Sequence, residues 1–423
     1  MMNNLIIKNA AQLVTCSGFA ARAGADMADP GTINDGALLI DDGLISAVGR
    51  TDEVLAGITE QDSLVIDASG KAALPGFVDS HTHFIFGGYR EEEFCLRLSG
   101  TGYMEIMARG GGIASTVAAT RKASLSELVD SGRARLDSML SFGVTTVEGK
   151  SGYGLDHDTE IRQLEAMKIL DREHPVDIAG TFLGAHALPV EYKGKSDAFL
   201  DFLMAKVLPE VAEKELAEFC DIFCEKNVFS LSQSRRFLRK AKELGLKLKL
   251  HADEIVQLGG AELAAELEAV SADHLLNASD HGIEQMAQAG VVATLLPITA
   301  FSLKEDYARA REMIDKNVAV ALATDLNPGS CFSGSVPLLF ALATLSMGLS
   351  PEEAVCAMTI NGAAAVDRAD SVGSLDVGKK GDAIILEFPS YRFLPYHLGV
   401  NIVEKVIKDG KLVFDKTQGG RLA

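Results

Sequence analysis

The sequence of 423 residues has no apolar run of eighteen, no Cys-x-x-Cys pair and too few cations to balance its acids. Each shortage excludes something. Without such a run, no membrane-spanning helix is expected. The opening Met1-Met2-Asn3-Asn4-Leu5 lacks a basic stretch leading into a long apolar one, so no signal peptide is expected and the cytoplasm is the expected location. The six cysteines (Cys16, Cys95, Cys220, Cys224, Cys331, Cys356) are scattered, which argues for reduced thiols rather than a disulfide framework. Cys220 and Cys224 share one apolar run and read as core. Forty Lys and Arg against 59 Asp and Glu leave a net charge of −19. Nucleic acid is therefore not an expected partner, because phosphate binding needs a basic face. Such a surface does not steer anions inward either, so an anionic substrate would need a few local cations.

Apolar residues at 47% and charged residues at 23% suit a globular enzyme, and the length suggests a large domain with a smaller companion. Both ends of the chain carry hairpin signals. Gly36–Ile40, a turn at Asp41-Asp42-Gly43 and Leu44–Val48 form one; Lys405–Lys408, Asp409-Gly410 and Lys411–Phe414 form another. Gly381–Leu386 adds a strand. Two small β pieces rarely fold alone, so residues 1–70 and 371–423 are expected to make one composite β-sandwich around a central domain of 71–370. In that centre eight short apolar runs alternate with helical patterns: 74–78, 144–147, 178–183, 219–224, 246–250, 270–274, 291–296 and 318–323. Ser230 with Gln233 looks like a capping box, Gly245 like that helix's stop, and Ser350-Pro351-Glu352-Glu353 like another helix start. Eight buried strands alternating with helices predict an α/β fold, a (β/α)8 TIM-like barrel. A doubly wound sheet would place a glycine-rich turn after its first strand, where this chain has His-Thr-His.

Polar residues gather at the C-terminal ends of these runs: Asp79-Ser80-His81-Thr82-His83, His186, His251, His274 and Asp325. Barrel enzymes build their active sites at that rim. His81 and His83, two apart on a strand, point to one face. With His251 and Asp325 they complete a three-nitrogen, one-oxygen set suited to one divalent ion, zinc or iron(II), which lowers the pKa of a bound water to about 7. Glu254, three residues after His251, lies where a carboxylate can shuttle a proton without binding the ion, and Asp253 beside it reads as a helix-start acid. His274 stands either near the developing oxyanion or as an orienting group behind the ligands. Gly110-Gly111-Gly112 lacks the Lys-Ser or Lys-Thr of a phosphate loop and reads as a flexible active-site loop. Asn327-Pro328-Gly329-Ser330, following Asp325, offers substrate contacts at the rim.

Pro75-Gly76-Phe77-Val78-Asp79 leading into His81-Thr82-His83 resembles the amidohydrolase superfamily. The match narrows to the imidazolonepropionase family on residues 83–94 (HFIFGGYREEEF), 150–155 (KSGYGL), 181–186 (TFLGAH), 323–330 (ATDLNPGS) and 394–397 (LPYH). The resemblance implies metal ligation by His81, His83, His251 and Asp325, with Asp325, Glu254 and His274 at the chemistry. It implies substrate contacts by Arg90, Tyr153, His186, Glu254 and Asn327, extending on the product to Gly329 and Ser330. It also implies a single ion and a homodimer, with Lys226 only a weak candidate for a bridging lysine. Two positions depart from the family pattern. Gly149 replaces a larger apolar residue and could loosen the loop carrying Tyr153; Ser80 replaces a proline.

The implied reaction is hydrolysis of the ring C–N bond of 4-imidazolone-5-propanoate to N-formimidoyl-L-glutamate in histidine degradation. The rivals are a purine or pyrimidine deaminase of the same superfamily, which has no need of Arg90 to grip a carboxylate, and a catalytically dead scaffold relative.

Overall fold

The computed structural model describes residues 4–59, 61, 63–100 and 111–422; Met1–Asn3 and Gly110 lie outside them. Seventeen strands among the described residues make two sheets. The first contains β1 (Asn4–Val14), β2 (Thr32–Asp41), β3 (Leu44–Arg50), β4 (Ser63–Asp67) and β5 (Ala72–Pro75). The second contains β6 (Phe77–Asp79), β7 (Val144–Lys150), β8 (Asp177–Ala185), β9 (Phe219–Cys224), β10 (Lys247–Ala252), β11 (Ser271–His274), β12 (Val292–Leu295) and β13 (Val320–Leu322). The chain then returns to the first sheet with β14 (Ala383–Leu386), β15 (Val403–Lys408), β16 (Lys411–Asp415) and β17 (Gly420–Arg421).

β6 to β13 pair in parallel, each with the next, with helices between most of them. The ring closes just past the strand ends, where the Asp325 N–H donates to the His81 carbonyl (3.0 Å) and the His83 N–H to the Leu326 carbonyl (2.9 Å). Asp79 latches the same seam by accepting from the Thr324 backbone N–H (2.9 Å) and hydroxyl (2.6 Å). The expected barrel is present, and its seam is the place where three of the expected ligands stand.

The run 74–78 is two strands rather than one. Ala72–Pro75 pairs with β14 and β1 in the terminal sheet, whereas Phe77–Asp79 starts the barrel. Pro75 has no N–H to continue a ladder, and Gly76 passes so close to Thr145 that a Cβ would lie 2.2 Å from its hydroxyl. The chain therefore changes sheets there. β5 and β14 are buried on both faces: Leu74, Ile384 and Leu386 join the barrel's core, while Ala73, Ala383 and Ile385 join a separate core within the terminal sheet. The capping boxes at Ser230 and Ser350 form, and Gly245 has φ +90°. Cys220 and Cys224 are buried free thiols of the core. Among the described residues, no helix is long and apolar enough to cross a membrane.

Candidate active site

Five imidazoles and a phenol converge at the C-terminal mouth of the barrel. The His81 and His251 ring centroids are 4.7 Å apart, His81 and His83 5.3 Å, and His251 and His274 5.0 Å. His186 stacks on His83 at 4.9 Å, and Tyr153 leans on His186 at 5.4 Å. One ring nitrogen from each of His81, His83 and His251 lies within 4.8 Å of the others, and all three residues are buried.

The outer nitrogen of two of these rings meets a buried carboxylate. Asp273 meets His81 Nδ1 at 2.6 Å, and Asp221 meets His251 Nδ1 at 2.8 Å. That leaves Nε2 of both rings buried without a hydrogen-bond partner. A carboxylate behind an imidazole fixes the tautomer and raises the basicity of the far nitrogen, the arrangement of histidines that bind metals. Burial first, then the Lys150 ammonium for His81 and the His274 ring for His251, hold both imidazoles well below the usual histidine range. Asp325 turns Oδ2 to the Thr299 hydroxyl (2.6 Å) and Oδ1 toward His83 (3.6 Å) and His81 (3.7 Å). Burial pushes its carboxyl up to about 7. A divalent cation matches this donor set, since its charge would favour the ionised carboxylate and its orbitals would take the orphan nitrogens.

Glu254 is 3.6 Å from His274 Nε2. Burial, then the charges of Asp325, Glu225 and Glu305, push its carboxyl up to about 8, although its side chain keeps 19% of its surface exposed. Burial lowers His274 to about 4. Asp253, His274 and Asp325 all have left-handed backbones, with φ of +50°, +73° and +51°. For non-glycine residues that conformation costs about 1–3 kcal/mol and clusters at functional sites. Asp253 is the helix-start acid expected, but buried rather than solvated: it accepts from the N–H groups of Leu258, Gly259, Gly260 and Ala261.

At the mouth, Arg90 turns Nε and Nη2 to Glu93 and lays Nη1 against Gly329, where a Cβ would be 2.0 Å away. Asn327 is consumed by its own turn. Its Oδ1 accepts from Gly329 N–H (2.9 Å) and Ser330 N–H (2.8 Å), and its Nδ2 donates to the Asp325 carbonyl (2.8 Å). It therefore shapes the wall that presents Gly329 and Ser330. A cavity of about 730 Å³ opens here, lined by Tyr89, Arg90, Phe94, Arg97, Gly329 and Phe332 among others.

Two expectations change. Gly149 leaves no slack, because Phe84 and Met167 fill its side-chain space; a Cβ would be 2.7 Å from the Phe84 ring. Lys226 is exposed and takes no part. Two lysines buried inside the barrel, Lys150 and Lys249, were not singled out by sequence reasoning. Lys150 Nζ lies 2.8 Å from Asp221, 2.9 Å from Glu148 and 3.3 Å from Asp273. Lys249 Nζ lies 3.1 Å from both Glu148 and the Ser80 carbonyl. The signal was the spacing: Glu148 with Lys150, and Lys249 with His251, are two apart on strands and share the barrel's inner face.

The amidohydrolase family model matches residues 72–413, and the chain belongs to that family. Similar solved structures include a zinc complex of an Arthrobacter aurescens atrazine chlorohydrolase (17% identity, TM-score 0.71, covering 97% of this chain and 95% of that one). A Xanthomonas campestris adenosine deaminase with bound zinc is comparable (18%, TM-score 0.67, 97% and 92%); at that identity the likeness concerns the fold. Among curated relatives, imidazolonepropionases of Clostridium tetani and Parabacteroides distasonis are each 60% identical, over 98% and 97% of this chain and 99% of theirs. Within the amidohydrolases, the chain is thus a member of the imidazolonepropionase family.

Proposed function

We propose that this enzyme hydrolyses the ring C–N bond of 4-imidazolone-5-propanoate to give N-formimidoyl-L-glutamate, a step of histidine degradation. The observation that carries the reading is the convergence of His81, His83, His251 and Asp325 beside Glu254, with Arg90 at the mouth. These four ligand-type side chains would hold one divalent ion, zinc or iron, which when bound supplies Lewis acidity and activates water. Glu254, beside the ligand set and 3.6 Å from His274, takes the proton of the attacking water as a carboxylate, the ionised form that the charge of a bound ion would favour, and hands it to the departing ring nitrogen. His274, a neutral imidazole beside it, donates to the oxyanion as the carbonyl becomes tetrahedral. Tyr153 and His186 flank the ring, and Asn327 holds the Gly329–Ser330 wall that meets the product. Arg90 Nη1 reads the propionate. The same reading divides the chain into a composite terminal domain (1–70 with 371–423) and a barrel (71–370), acting as a homodimer in the cytoplasm.

The test is to incubate metal-loaded protein with freshly made imidazolonepropionate and follow loss of the ring chromophore. Arg90→Met should cut kcat/KM by a factor of about 30 to several thousand, the worth of a desolvated charge pair. An imidazolone without the propionate arm should be a poor substrate for wild type and no worse for the variant. Preference for the armless compound or for a nucleobase would instead favour the deaminase.

A further inference from the structure

Tyr153 and His186 are held by a loop with unusual hydrogen bonding. Lys150–Leu155 leaves β7 and runs into the helix His157–Glu173, which Asp156 caps by accepting the Thr159 N–H at 2.8 Å. Gly152 has φ +105° and Leu155 φ +51°, so this segment continues neither strand nor helix. Its backbone donors turn to side chains of the helix that follows. Glu160 Oε2 accepts the Gly152 N–H (3.0 Å), and its Oε1 accepts the Gly154 and Leu155 N–H groups, both at 2.8 Å. One turn later Gln163 Oε1 accepts the Tyr153 N–H (3.2 Å), while its Nε2 donates to the Ile85 carbonyl (2.7 Å). Four consecutive buried donors, 152 to 155, thus end on two side chains. Glycines allow the close fit: a Cβ on Gly154 would be 2.7 Å from the Glu160 nitrogen, and one on Gly152 3.0 Å from His186. The Gly152 carbonyl in turn meets His186 Nδ1 at 3.1 Å.

Glu160 is fully buried. An apolar residue would fill that space without the desolvation penalty of a carboxylate. What a carboxylate does there, and an apolar residue cannot, is hold three backbone donors at once while standing in the first turn of a helix, where negative charge is favoured.

We infer that Glu160, assisted by Gln163, is a positioning residue for substrate binding: it fixes the 151–155 loop so that the Tyr153 phenol and the His186 imidazole keep one spacing around the ring of the substrate. The inference rests on the reading that Tyr153 contacts the substrate.

The experiment compares the metal-loaded full-length wild type with Glu160→Gln, Tyr153→Phe and the double variant, using 4-imidazolone-5-propanoate as substrate and measuring KM, kcat and bound metal. Glu160→Gln puts an amide NH2 where an N–H must be accepted. It should raise KM roughly tenfold, keep the metal and change kcat little. Tyr153→Phe should raise KM as well. The double variant should be no worse than the poorer single one, because a mobile phenol and a missing one are the same loss. Additive effects, or a fall in metal content alongside KM, would make Glu160 a general support of the fold and overturn the inference. A raised KM in Tyr153→Phe with a normal KM in Glu160→Gln would overturn it while leaving the substrate contact standing. An unchanged KM in Tyr153→Phe would remove the contact itself, and the inference with it. Should Glu160→Gln not fold, Gln163→Leu removes the acceptor of the Tyr153 N–H and must show the same KM-selective loss.

Discussion

His81 and His251 each face two ways, with an aspartate behind the ring and an orphan nitrogen in front. The front was legible in the sequence, because two histidines two apart at a strand end leave few other readings. The back was not. Asp221, Asp273, Glu148, Lys150 and Lys249 are charged residues inside apolar strands, and alternation of that kind looks the same whether the polar face meets water or the inside of a barrel. Only closure of the ring shows that they are buried against one another. Burial works against the Lys150 charge, yet Asp221, Glu148 and Asp273 raise its pKa above the ordinary lysine value. Asp221→Asn should therefore weaken zinc binding by about 10–100-fold, the usual cost of losing a partner behind a ligand, as read by competition with a chromophoric chelator. Unchanged affinity would show that His251 needs no such partner. Glu254→Gln should slow turnover by roughly 10^2 to 10^4 with metal content unchanged. Loss of metal from that variant would make Glu254 a ligand, and full turnover would pass the proton transfer to His274.

At the scale of strands, helices and turns, the eight apolar runs correspond to the eight barrel strands, because buried parallel strands are continuous in apolar character. Their ends were less legible. The first run hides a change of sheet at Pro75-Gly76, and apolar patterning alone does not record which sheet a buried strand joins. Asp253 was legible as a helix-start acid, but its burial was not. With four N–H groups on one carboxylate, Asp253→Ala should cost about 2 kcal/mol, the upper range for a lost cap, measured by urea denaturation. The hairpin of β15 and β16 carries a pH-sensitive tie. Burial alone would raise Asp415, but Lys405 at 2.6 Å and the Thr417 N–H and hydroxyl bring its carboxyl down from 3.8 to about 2. The folded state therefore binds this proton less readily than the unfolded chain. The tie contributes fully above about pH 4 and is lost as the pH falls toward 2. Asp415→Asn should flatten the dependence of Tm on pH in that window, and an unaltered slope would locate the acid sensitivity elsewhere.

Over the whole molecule, a net charge of −19 sets the protein's field against an anionic substrate, and in the proposed reading Arg90 at the mouth is the local cation that offsets it. The barrel's apolar core lies around the strands rather than at the metal set, so a chelator should abolish activity while leaving far-UV dichroism nearly unchanged. Collapse of the dichroism would make the ion structural. The meeting of both chain ends in one sheet also bears on how the protein is made. β5, which leads within a few residues to His81, lies between β1 and β14, and β14 is synthesised about 300 residues later. At a translation rate of roughly 5–20 residues per second, that edge of β5 stays unpaired for some 15–60 s on the ribosome. The nascent chain thus carries an open apolar strand edge for more than two thirds of its synthesis, the kind of edge that invites aggregation or chaperone capture.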